Sequence, residues 1–163
     1  MSLDEFYRHD ALRSQSDAVA ALDRLWGVSI LLGELMRVGL GERGITLARA
    51  AVLSLLARSV PSGACSQRAL SRALRVTPRN VTGLIDALER EGLVARTPHP
   101  TDRRSTLVSL TESGPRLAET LQREQDAFAE TLFAGADPAE LQSVTRLLDR
   151  VLARVQERLG PPR

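Results

Sequence analysis

Between Thr77 and Thr82 the chain places a hydroxyl, a guanidinium, a carboxamide and a second hydroxyl within six residues, TPRNVT. All four groups make directional hydrogen bonds to flat heterocycles or to phosphate. Arg79 can fork to guanine O6/N7 or hold a phosphate, and Asn80 can pair with adenine or hold backbone. Further on, Arg103 and Arg104 stand side by side after Pro98, Pro100, Thr101 and Asp102. This is the chemistry of recognition, not of turnover. There is no Gly-rich phosphate loop, no nucleophile elbow and no paired carboxylate with a plausible cleft. His9, His99 and Cys65 share no metal-ligand spacing. Neither enzyme activity nor a cofactor is expected.

Those groups need elements to aim them. Thr77 is a good helix N-cap and Pro78 suits the first helical position, where its missing N–H and fixed φ are assets. Val81, Leu84, Ile85 and Leu88 then make one apolar stripe, and Gly92 is placed to end the helix in a left-handed conformation. Thr77, Pro78, Arg79, Asn80 and Thr82 lie off that stripe, near the helix start. The preceding helix is capped by Ser66 and should bury Ala69, Leu70, Ala73 and Leu74. Only Arg75 and Val76 remain between the two, so the helices must meet steeply, as a helix-turn-helix whose second member points its N-terminal residues into the DNA major groove. Ser66 and Arg68 open the first helix, which crosses the backbone, so their contacts would go to phosphate. After Gly92, Leu93, Val94, Arg96 and Thr97 read as a strand and Thr106 to Leu110 as its return. Arg103 and Arg104 sit at the tip of this ribbon, a wing suited to the narrow, negative minor groove. Ala64 and Cys65 could add a short third strand.

The run TPRNVTGLIDALEREGLVARTPHPTDRRSTLVSLT resembles the winged helix of the MarR (multiple antibiotic resistance regulator) family, through Asp102-x-Arg104 followed by Val108-x-Leu110-Thr111 and preceded by the helix that carries Asp86. ITLARAAVLSLLARS, at 45–59, is similar to the helix before this unit in that family. The resemblance implies a triangular homodimer with wings splayed beneath a helical top. It implies that Arg104 enters the minor groove, that Asp86 helps to orient it, and that small, often aromatic or phenolic, effectors bind between the helical region and the winged helix. Trp26, Met36, Arg49 and Leu53 fall near such a cleft. Gly83 departs from the pattern, because many members carry a longer, often basic, residue there. Some relatives sense oxidants through a cysteine of the first helix, and this chain has none there.

Charge distribution agrees with the motif. The formal net charge is only +2, too small to argue for nucleic acid by itself. Eight arginines face four acids between Ser66 and Arg104, a local +4, whereas residues 112–163 hold seven arginines against nine acids, a local −2. The positive excess sits on the groove-reading elements. All 22 basic residues are arginine, which codon bias in a GC-rich genome explains.

The outer segments are apolar in periodic fashion. A helix from Ser16 to about Val38 carries Val19, Leu22, Trp26 and Ile30 on one stripe and Leu25, Val28, Leu32 and Leu35 on another, with Gly39, Gly41 and Gly44 expected to break it. Thr46 can cap the next, with Leu47, Ala51, Leu55 and Leu56 apolar along it. Ser113-Gly114-Pro115 opens a long helix. Asp137-Pro138 with Glu140 opens the last, whose Leu141, Val144, Leu148, Val151, Val155 and Leu159 form a near-heptad seam.

The expected fold is mainly α with a small β-wing: an N-terminal dimerisation region (1–44), a winged helix-turn-helix (45–111) and C-terminal dimerisation helices (112–163). One cysteine and no apolar stretch long enough to span a bilayer point to a cytoplasmic protein. The function expected is a homodimeric regulator reading a palindromic operator in double-stranded DNA, most often a repressor released by a small ligand. The alternatives are thiol-based sensing through Cys65, which otherwise serves as a small buried hydrophobe, and a winged helix used for protein–protein contact.

Overall fold

The computed structural model describes residues 16–59, 63–102 and 105–160. The chain divides into two compact units, residues 1–47 and 48–163.

Helix α1 (Asp17–Gly41) dominates the first unit. Ser16 stands at its N-cap in an extended conformation, without a side-chain cap bond. Gly39 and Gly41, expected to break the helix, are part of it. It ends in a turn at Glu42 to Gly44, where Gly44 adopts a φ of +67° and the Ile45 amide reaches back to the Leu40 carbonyl. A glycine with ordinary helical φ weakens a helix by only about 1 kcal/mol, so it need not stop one. Both apolar stripes of α1 are uncovered: Leu22 is 59% exposed, Trp26 67%, and Val28, Ile30, Leu31 and Leu35 are also exposed.

The second unit holds the core. Helix α2 (Leu47–Ala57) buries Ala50, Val52, Leu53 and Leu56. Of the residues expected to line it, only Leu56 is buried, and Leu47 is exposed. In so uniformly apolar a helix, periodicity alone leaves the buried face ambiguous. Strand β1 (Ala64–Ser66) leads into α3 (Gln67–Leu74), which buries Leu70 and Ser71. Ala69 and Ala73, placed on the buried side by sequence, are exposed. Helix α4 (Pro78–Arg90) buries Val81, Ile85 and Leu88. Strands β2 (Val94–Pro98) and β3 (Thr106–Leu110) follow, and the antiparallel sheet runs β1-β3-β2. Ala64 pairs with Ser109, and Pro98 pairs with Thr106 on the edge strand, where a missing N–H is tolerated. Val52, Leu53, Leu56, Leu70, Val81, Ile85, Leu88, Val94 and Val108 are fully enclosed.

Helix α5 (Gly114–Leu132) leaves the sheet at a close contact. A Cβ on Gly114 would lie 2.3 Å from the Leu93 carbonyl oxygen. That oxygen also accepts from the Thr111 amide at 3.1 Å, while the Thr111 hydroxyl donates to the Gly92 carbonyl at 2.6 Å. Helix α6 (Pro138–Leu159) begins with the expected capping box, Asp137 accepting from the Ala139 amide and Glu140 accepting from the Asp137 amide. None of its residues is buried, and Leu152 and Leu159 are more than half exposed. Among the described residues, no helix is long and apolar enough to cross a membrane.

Candidate nucleic-acid interface

The turn between α3 and α4 is fixed from inside. Arg75 caps α3 in the left-handed region, φ 53° and ψ 36°, where few residues other than glycine settle. Beneath it the Ser71 hydroxyl, buried, donates to the Val76 carbonyl at 2.6 Å, and the Val76 amide returns to the Ser71 carbonyl at 3.2 Å. Ser66 caps α3 by accepting from the Ala69 amide, and Thr77 caps α4 by accepting from the Asn80 amide. The Thr82 hydroxyl donates to the Pro78 carbonyl, which leaves its oxygen lone pairs outward.

On this frame Thr77, Pro78, Arg79, Asn80 and Thr82 are all exposed at the start of α4. Neither the Arg79 guanidinium nor the Asn80 carboxamide bonds to another described residue. Ser66 is half-buried and Arg68 exposed, at the start of α3. Two polar side chains held out on a capped helix start, with their hydrogen-bonding capacity unspent, fit a groove of base edges.

The wing carries an anchor that sequence reasoning missed. Arg96, on β2, bonds through its guanidinium to Asp86 and to Glu89 of α4 and lies 3.5 Å from the Thr82 carbonyl. Its amide also donates to Glu89, at 3.3 Å. Partial burial opposes its charge, but the bonds to Asp86 and Glu89 prevail and hold the guanidinium above its ordinary pKa. Asp86, assigned by resemblance to orient Arg104, is therefore engaged by Arg96. A signal was present: Asp86 and Glu89 stand i, i+3 on one edge of a helix whose next strand supplies a single arginine.

Arg103 and Arg104 lie outside the described residues. Beside them, the amides of Thr101 and Asp102 both donate to His99 Nδ1, so the ring proton belongs on Nε2. The His99 amide donates to the Ser105 carbonyl and the Ser105 amide to the Asp102 carbonyl, which shapes the loop. Also in the second unit, Arg49 pairs with Glu91 and Leu53 is wholly enclosed. Trp26 and Met36 belong to the first unit, on α1, where Leu22, Leu25, Trp26, Ser29 and Ile30 form an open, largely apolar surface. Cys65 Sγ lies 2.9 Å from Ser59 Oγ, half-buried.

Residues 43–105 match the model of the MarR family. An HTH-type transcriptional regulator of Bacillus subtilis, YdgJ, is 30% identical over 145 residues, 89% of this chain and 82% of its own length. The chain belongs to the MarR family. Over a shorter span the likeness to another relative is stronger: the transcriptional activatory protein BadR of Rhodopseudomonas palustris is 44% identical over 78 residues, 48% of this chain and 45% of BadR. Among solved structures, the complex of Staphylococcus aureus MepR with DNA superimposes with a TM-score of 0.72 at 25% identity, covering 85% of this chain and 98% of that one. The architecture is that of a MarR winged helix, and the relatives are transcriptional regulators.

Proposed function

We propose that this MarR-family chain is a homodimeric, sequence-specific regulator of transcription, acting in the cytoplasm on a palindromic operator. The observation that carries the reading is the exposed start of α4, where Arg79 and Asn80 extend from a capped helix with no described partner. Arg79 and Asn80 read base edges, with Thr77, Pro78 and Thr82 packed against the groove. Ser66 and Arg68 hold phosphate, and Arg103 and Arg104 enter the minor groove beside Asp102. The solved complex of MepR with DNA supports the same use of the same fold.

A dimer is favoured by the uncovered apolar stripes of α1 and of α6, each of which is a face that a partner helix would cover. Two-fold symmetry would set the recognition helices about 34–36 Å apart, one turn of duplex. The direction of control we propose is repression relieved by a small aromatic effector. BadR, a relative over 78 residues, is by its name an activator.

Footprinting on the DNA upstream of the chain's own coding sequence tests the reading. A protected palindrome is expected, with affinity falling steeply as salt rises, because each neutralised phosphate releases counterions. Affinity independent of ionic strength would overturn it. Candidate phenolic compounds added to the same footprint should erase the protection, and a promoter fusion should be derepressed when the gene is deleted.

A further inference from the structure

Gly83 sits in the middle of α4 at a position where nothing inside the chain requires a glycine. It comes four residues after Arg79 and three after Asn80, so all three share one helix face, and that face is exposed. A Cβ built on Gly83 meets no atom within 4 Å, and the residue is not among the glycines with positive φ. Gly92, by contrast, needs its φ of +70° to leave the helix, and Gly114 needs its missing side chain to clear Leu93. An interior glycine weakens a helix relative to alanine. The fold therefore carries a weak point in its reading element with no internal return. Gly33, Gly39 and Gly41 also face open space, but on α1, whose exposed side chains are apolar and call for a packing neighbour.

We infer that Gly83 is a specificity-determining residue, at which base-pair edges of duplex DNA approach the α4 backbone closely enough for Arg79 and Asn80 to read them. The inference rests on the DNA-reading assignment above. A helix with its side chains is about 10–12 Å across and the major groove about 12 Å wide, so whatever projects from the middle of the inserted face limits how deep the helix can sit. A hydrogen at Gly83 lets the two longer side chains set the depth. In the seating that Arg79 and Asn80 require in this chain, the base-pair edges take the space beside the Gly83 backbone, and a methyl there would compete with them for it.

The test separates fold from reading, because the two respond in opposite directions. A duplex is first selected by the wild-type protein from a randomised pool. Gly83→Ala should raise the thermal midpoint and weaken binding to that duplex by at least about fivefold, the lower end of a single lost base contact. Affinity for random-sequence duplex should not change. A second selection with the variant should alter the preferred bases at the centre of each half-site. Unchanged affinity with the same preferred bases would overturn the inference. So would equal loss on selected and random duplex, which would make Gly83 a general docking position, or a lowered thermal midpoint, which would give it an internal role. If the wild-type protein enriches no sequence at all, the DNA-reading assignment itself fails, and that outcome is visible before any variant is made.

Discussion

A hydroxyl hidden from water must send its proton somewhere, and Ser71 sends it to the Val76 carbonyl in the turn that aims the recognition helix. Ser71→Ala leaves that acceptor without its partner and should lower stability by about 1–3 kcal/mol in urea unfolding. Four residues on, Arg75 occupies a left-handed conformation that side chains resist. Arg75→Gly should raise stability by about 1 kcal/mol in the same measurement, relieving strain at the cost of one long, exposed bond from its guanidinium to the Gly160 carbonyl at 3.4 Å. Gly114 reverses the sign: with backbone 2.3 Å from the Cβ position, Gly114→Ala should cost about 1–3 kcal/mol. At this scale sequence reading succeeded where one residue type has one geometric use. Thr77 as cap, Pro78 at the first helical position and Gly92 as the stop are all where the pattern put them. It failed at Arg75, because nothing in an arginine announces a positive φ.

Between elements, the guanidinium of Arg96 ties the wing to α4 through Asp86 and Glu89. Arg96→Met keeps the aliphatic stem and removes the tie, so amide exchange across 94–98 and 106–110 should quicken while α2 and α4 stay protected. Because folding raises this arginine's pKa, its contribution is complete below the unfolded value and is lost only as pH climbs past the folded one. Loss of the guanidinium's charge therefore plays no part between about pH 6 and pH 9. The hairpin itself was legible from the change of pattern after Gly92 and from its two prolines. The tie was not, because linking β2 to α4 requires knowing that the strand returns along the helix edge bearing Asp86 and Glu89. The register of α2 was illegible for a different reason: a helix apolar all round gives no preferred side until its neighbours are placed.

On the scale of the whole molecule, the homodimer we propose would cover the unburied seam of α6 and the two stripes of α1. Sedimentation should find twice the chain mass. Leu148→Asp with Leu152→Asp should yield monomers that keep the helical spectrum and lose operator affinity by more than about a hundredfold, since one half-site remains per particle. The heptad spacing of α6 was legible in the sequence, and the structure leaves those side chains without a cover from the described residues of their own chain. The root of the hairpin limits how control can reach it. The Leu93 carbonyl is gripped by the Thr111 amide and abutted by the Gly114 backbone, so the root of the hairpin and the start of α5 share a single rigid joint. A signal arriving along α5 thus cannot bend the hairpin alone; it must swivel the reading head as one piece, like a key turned by its shank.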